Sequence, residues 1–222
     1  MEMKKLPAFL LAAAMAACQV DSYESGQGDY SLLTADFVEL RTGGPCAVSS
    51  AVTDGGDSLV LVPAVTLDWA LRPDTVYRAI LYYDRSGGPQ VRARSIVEVP
   101  VVRPAAAAGV DSVLTDPVDL ESVWVSAGGK YINMGLYMMV GEGGPEGARH
   151  TVGLVCDSVE VGEAGRRTAH LRLFHDQGGV PEYYSSKVYV SAPCASVGAD
   201  SAVLRVETYD GLAVRPLRLS EQ

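Results

Sequence analysis

KYINMGLYMMV, residues Lys130 to Val140, places an apolar side chain at every second position: Ile132, Met134, Leu136, Met138 and Val140. A helix would spread these side chains round its axis, whereas a strand puts them on one face, so the stretch reads as a strand lying against a core. Its other face carries Tyr131, Asn133, Tyr137 and Met139, and Trp124 on the preceding strand can join them. Large amphipathic side chains in such a row form either a binding surface for a partner or sugar, or a face covered by a loop or another domain. Both readings remain open from the sequence.

The two-residue period extends in both directions from this stretch. Downstream of residue 110 it recurs at Leu120 to Ser126, His150 to Val161, Arg167 to His175, Tyr183 to Ser191, Ser201 to Thr208 and Leu212 to Leu219. Turns are supplied by Ala127-Gly128-Gly129, Gly162 to Gly165, Gln177-Gly178-Gly179 and Tyr209-Asp210-Gly211. Roughly seven short strands with regular turns predict an antiparallel β-sandwich over residues 111–222. Upstream, Ser31 to Arg41, Ala47 to Thr53, Ser58 to Val62, Thr75 to Tyr83 and Val91 to Val102 give five strands within residues 30–103. Asp54-Gly55-Gly56-Asp57 closes a hairpin between the second and third, because paired glycines provide the positive φ of a tight turn. Five such strands suit a small OB-like barrel or an open meander. Residues 104–110, with Pro104 and Ala105 to Gly109, break the pattern and predict a linker.

The N-terminus predicts location. Lys4 and Lys5 precede an apolar run from Leu6 to Ala17, too short for the roughly 20 residues that span a bilayer, and small residues stand directly before Cys18. This is the order of a signal peptide over residues 1–17, with Cys18 as the lipidated N-terminus and residues 18–29 as a polar tether. A general secretory signal with a chance cysteine is the alternative. A lipidated Cys18 would hold the chain to the outer membrane or another cell-envelope membrane, facing the periplasm or the surface. Asp21 and Glu24 also suit either a surface-export signal or a solvated linker.

Removal of residues 1–17 takes away one Glu and two Lys, leaving 26 acidic and 16 basic residues and a net charge of −10. Such a surface repels phosphate backbones and argues against nucleic acid as a partner. It also argues against lying flat on anionic lipid, so the membrane would be held through the lipid. Residues 19–103 hold six arginines in the second half, among them Arg72, Arg78, Arg92 and Arg94, yet remain acidic with 11 acidic and 7 basic residues. Three cysteines follow Cys18. In an oxidising compartment Cys156 and Cys194, in the same half, are the expected disulfide, with Cys46 left over; three free thiols is the other reading.

Catalytic and metal chemistry find little support. His150, His170 and His175 are the only histidines, no His-Glu-x-x-His or paired Cys-x-x-Cys exists, and His170 and His175 face opposite sides of one strand. No metal or other cofactor is expected. Ser185 or Ser186 with His175 and Asp176 lacks the Gly-x-Ser-x-Gly elbow. Gly141 to Gly147 lacks the Lys-Ser or Lys-Thr of a phosphate loop, and Asp54 with Asp57 lacks the ligand alternation of a calcium loop.

Taken in order, several of these features resemble the NigD-like lipoproteins: the signal with Cys18, the strand Tyr30 to Arg41, and the turn Asp54-Gly55-Gly56-Asp57. The Trp124 strand with Gly128-Gly129-Lys130-Tyr131 belongs to the same set, as do Leu171-Arg172-Leu173-Phe174-His175, Tyr183-Tyr184 and Val190-Ser191. Ala192-Pro193-Cys194 departs from that pattern, where larger apolar residues are expected. The resemblance implies an OB-like domain followed by a β-sandwich, a source among Bacteroidota, a link to a bacteriocin-associated operon and no catalytic residues. The first functional expectation is a lipid-anchored, non-enzymatic envelope protein that binds a protein or other ligand. A carbohydrate-binding accessory lipoprotein is the second and a sandwich hydrolase the third.

Overall fold

The computed structural model describes residues 33–85, 87–109 and 112–219. The signal, Cys18 and the tether lie outside the described residues.

The first unit is built from β1 (Leu33–Gly44), β2 (Ala47–Thr53), β3 (Ser58–Thr66), β4 (Val76–Asp84) and β5 (Gln90–Glu98). They form a closed barrel in the order β1-β2-β3-β5-β4. All pairs are antiparallel except β3 with β5, which meet in parallel at Val60↔Gln90 and Leu61↔Val91. This is the five-stranded barrel expected of an OB-like unit. Alternation fixes the inside and the outside: Val38 and Leu40 of β1 and Ala79, Leu81 and Tyr83 of β4 fill the barrel, so Phe37, Glu39, Arg78 and Ile80 must project outward. The hairpin forms where expected, with Gly56 at φ +92 and the Asp57 N–H donating to Thr53 Oγ1.

The second unit contains β6 (Pro104–Ala106), β7 (Asp119–Val125), β8 (Tyr131–Val140), β9 (Thr151–Val161), β10 (Arg167–Asp176), β11 (Tyr184–Pro193), the single-turn α1 (Cys194–Val197), β12 (Ser201–Thr208) and β13 (Gly211–Arg218). One sheet runs β13-β12-β10-β9-β6 and the other β11-β8-β7. Between them, Ile132, Met134 and Leu136 of β8 meet Leu154, Leu171, Leu173, Leu204 and Val206 of the facing sheet. The apolar row of the opening stretch thus lies at the centre of the sandwich. β11 stops at Pro193, where the sequence departs from the NigD-like pattern, and α1 begins at Cys194.

The structure changes two expectations. The first part of the expected linker 104–110 is strand: Pro104, Ala105 and Ala106 pair in parallel with Leu154, Val155 and Cys156 at the edge of the five-stranded sheet. Ala105 and Ala106 remain exposed, and a strand of three residues is too short to show a period. The barrel ends at Glu98, and the connection is Val99 to Arg103, itself held by Val99 N–H to Arg78 O, Ser191 N–H to Pro100 O and Val102 N–H to Ser191 O. The expected Cys156–Cys194 disulfide is absent, and Cys46, Cys156 and Cys194 are free thiols. The Cys156 thiol lies against its own strand, donating to Ser158 O at 3.6 Å, while Cys194 opens α1 after β11. Burial pushes the Cys194 thiol pKa up.

Candidate functional site

The outward face of β8 meets the outward face of β1 and β4, and a buried polar cluster closes the contact. Arg78, only 4% exposed, donates from both terminal nitrogens to the Asp54 carboxylate at 2.6 Å each. Its Nη2 also donates to Asn133 Oδ1 at 3.1 Å, while Asn133 Nδ2 donates to Asp54 Oδ2 at 3.1 Å. Ser191 Oγ completes the cluster by donating to Asn133 Oδ1 at 2.7 Å. Every member is satisfied by another, which is what a buried ionic group requires. Aromatic rings surround it. The guanidinium lies 4.2 Å from the Tyr131 ring centre and 5.2 Å from that of Phe37, and Phe37 meets Trp124 and Tyr189 edge-on at 5.4 and 5.3 Å.

Around this core, Glu39 accepts from Lys130 Nζ at 2.6 Å and from the Tyr131 hydroxyl at 2.7 Å. Partial burial of Glu39 favours its neutral form, but these donors outweigh burial and hold its carboxyl below the usual range. Burial and the Glu39 contact push the Tyr131 phenol up to about 12. The hairpin turn contributes as well: the Gly128 N–H donates to Asp54 O at 2.9 Å, and a Cβ at Gly128 would stand 3.1 Å from that oxygen.

Beyond the cluster the two units part and leave a cleft of about 630 Å³, within the size range of small-ligand sites. Val97, Val99 and Pro100 line it from the barrel side, and Met138, Val152, Val188 and Val190 from the sandwich. Arg149, Lys187 and Glu98 are its charged residues and His150 its imidazole. Lys187 is bound to Glu121 at 2.6 Å and lies over the Tyr189 ring; hydrogen bonding to Glu121 and then to the Tyr189 side chain raises its pKa.

His150 lies edge to edge with His175, the ring planes within 14° of parallel and the ring centres 5.2 Å apart. His175 Nδ1 is 2.9 Å from the Asp116 carbonyl, which only accepts, so that nitrogen carries the proton and His175 Nε2 is an acceptor. His150 Nδ1 therefore donates to it at 2.9 Å when both rings are neutral. Burial, and then the neighbouring ring, lower the His150 pKa. No group of three or more His, Cys, Asp or Glu able to hold a metal exists among the described residues.

No family model matches the chain, and no curated protein matches it. Solved structures do. A NigD-like immunity protein from Bacteroides caccae matches with TM-score 0.59 and 23% identity, over 82% of this chain and 90% of that one. The chain has the fold of that NigD-like protein. A candidate toxin-related protein from Parabacteroides distasonis matches with TM-score 0.64 and 17% identity, over 84% and 92% of the two chains. A candidate lipoprotein from Bacteroides fragilis matches with TM-score 0.60 and 13% identity, over 85% and 98%. None of the three is named as an enzyme.

In this NigD-like fold the outward row is not one free platform. Asn133 is fully buried, and Tyr131 and Trp124 are half-buried against barrel side chains. Tyr137 and Met139, farther along β8, are half-buried without such contacts; the Tyr137 hydroxyl donates to Glu121 at 3.5 Å. The barrel covers the end of the row formed by Trp124, Tyr131 and Asn133. His170 and His175 do lie on opposite faces, half-buried and buried respectively. Reasoning from the sequence missed Arg78 and Ser191 in the cluster and the approach of His150 to His175, separated by 25 positions. It also passed over Tyr183 and Tyr184 as a surface, although they are 73% and 58% exposed.

Proposed function

We propose that the protein is a lipid-anchored, non-enzymatic cell-envelope protein that acts by binding, and that the cleft between barrel and sandwich is its binding site. The observation that carries this reading is the cleft itself: an apolar space of about 630 Å³ built by both units next to the buried ionic cluster that fixes their relation. The fold shared with a protein named for immunity supports a role against a bacteriocin-type toxin, and the fold shared with a candidate lipoprotein supports anchoring through Cys18 to the outer or another envelope membrane. Titration with Nile red, a neutral apolar dye, tests the cleft. One saturable site per chain is expected, and Val97→Glu should abolish it, since Val97 lines the cleft and is 47% exposed, so a charge there leaves the core intact. Saturable binding that survives Val97→Glu would place the site elsewhere, and no saturable binding would end the reading.

The exposed pair Tyr183 and Tyr184 favours a second reading, carbohydrate binding, because open aromatic rings stack on sugars. A glycan array in which Tyr183→Ala and Tyr184→Ala lose the same signal would support it, and an array without signal would reject it.

A further inference from the structure

We infer that the cleft receives an extended peptide segment, which adds as a strand to the open edge of β11. The inference rests on the binding reading above and specifies its ligand. β11 pairs with β8 on one side only, in unbroken antiparallel register from Tyr184↔Val140 to Pro193↔Tyr131. On its other side, among the described residues, another backbone segment engages Ser191 alone: its N–H donates to Pro100 O at 3.0 Å and its C=O accepts from Val102 N–H at 2.9 Å. Both bonds point away from β8, so Ser191↔Asn133 is a non-hydrogen-bonded pair of the ladder. Such pairs alternate with hydrogen-bonded ones, so Tyr189↔Gly135 and Lys187↔Tyr137 are of the same kind. The N–H and C=O groups of Tyr189 and Lys187 therefore point outward too, and no strand among the described residues takes them up.

That edge is a wall of the cleft. Four consecutive residues, Lys187 to Val190, line it, although successive side chains of a strand point to opposite faces; the space therefore runs along the edge and not over one face. The chain at Pro100 to Val102 has already begun a parallel ladder there, through the Val101↔Ser191 bridge, and an incoming strand would continue it. Charge favours a peptide over a single-headed amphiphile. With Lys187 held by Glu121, the remaining charged residues of the cleft are Arg149 and Glu98, one of each sign and neither in an ion pair among the described residues. A fatty acid would answer one of them and none of the backbone groups. A segment with alternate apolar residues, one acidic and one basic side chain answers all three, by the main-chain pairing and side-chain pockets of strand addition.

Selection from a displayed library of random peptides of about 12 residues tests the inference on the chain beginning at Cys18 with that cysteine changed to serine. Enrichment of alternating apolar peptides is expected. A selected peptide should bind at least about tenfold more weakly when its alternate amides are N-methylated, because strand addition depends on main-chain donors. Lys187→Pro, which removes one outward N–H from the edge, and Arg149→Glu, at an exposed position, should each weaken binding similarly while circular dichroism stays that of the wild type. Binding that survives N-methylation would overturn strand addition, as would a library with no enrichment. Nile red separates the two readings: a dye site lost in Val97→Glu without any peptide selected rejects the peptide and retains the binding cleft, whereas failure of both rejects the cleft.

Discussion

Arg78→Met should uncouple the barrel from the sandwich. The guanidinium side chain is 1% exposed and its partner Asp54 is 18% exposed. Two unit charges about 4 Å apart attract by about 4 kcal/mol at an effective dielectric constant near 20, which roughly offsets the several kcal/mol needed to desolvate each ion. The intact pair therefore contributes little net stability, but its rupture leaves an uncompensated buried charge and costs about 3–5 kcal/mol. Arg78→Met leaves Asp54 with the Asn133 amide as its remaining side-chain donor, and removes the cation from the Tyr131 and Phe37 rings. Asp54→Ala should cost as much by stranding the arginine, and the double variant should recover part of the loss, since an apolar replacement of both ions is close to neutral. The chain supplies its own reporters, Trp69 packed on Tyr77 in the barrel and Trp124 packed on Phe37 at the contact. Urea unfolding followed in Trp69→Phe and Trp124→Phe backgrounds should give coincident midpoints with Arg78 present and separate midpoints with Arg78→Met. A variant within about 1 kcal/mol of wild type with coincident midpoints would refute the argument that this cluster couples the units.

Gly178→Ala should destabilise by roughly 2–5 kcal/mol, from a left-handed backbone together with overpacking, because Gly178 has φ +58 and a Cβ would stand 2.1 Å from Arg149 O; a melting temperature equal to wild type would contradict the placement. His150 has a folded pKa below the ordinary 6.5, so its neutral form contributes stability that is complete above about pH 6.5 and is lost as pH falls through the lower folded value. The urea midpoint should thus drop on acidification, with a shallower drop in His150→Gln, and equal slopes would reject the linkage. Glu39, also held low, contributes stability present above its ordinary 4.5 and lost as pH falls through the folded value; Glu39→Gln should flatten the acid limb, and an unchanged limb would refute it. Cys18→Ser should abolish incorporation of radiolabelled palmitate, and equal labelling would refute lipidation at that position.

The strands were legible because a strand lying against a core places apolar residues at alternate positions, as Ile132, Met134, Leu136, Met138 and Val140 do. The Asp54 to Asp57 turn was legible because the positive φ at Gly56 has a local chemical signature. The contact between the units had none. Its members Asp54, Arg78, Asn133 and Ser191 are spread over more than half of the chain, and each alone looks like an ordinary surface residue. A weak sign existed on β4, where the positions pointing away from the barrel hold Arg78 and Ile80, both buried: an apolar residue on an outward face calls for a cover. The Ala105 to Gly109 stretch misled because exposed small residues have the composition of a linker whether or not their backbone pairs at a sheet edge.

One face of β8 explains where the contact between the units begins and where it ends. Near its start, Tyr131 and Asn133 reach Glu39, Asp54 and Arg78, and the barrel lies directly on the sheet. At Gly135 the row loses its side chain, and a Cβ there would stand 3.2 Å from the Tyr189 ring and 2.8 Å from Ser122 Oγ, so the glycine makes room for the ring that carries Phe37. Past it, Tyr137 turns to Glu121 and Lys187, which belong to the sandwich itself. Contacts to the barrel therefore end about midway along the strand, whereas the cleft lies at the β11 edge, between Val97 to Pro100 and the core-facing Met138, Val188 and Val190. A site placed there is shaped by the angle between the units, and that angle is held by a buried cluster whose members are all satisfied. Changes at Arg78 or Asp54 consequently act on the cleft without lining it.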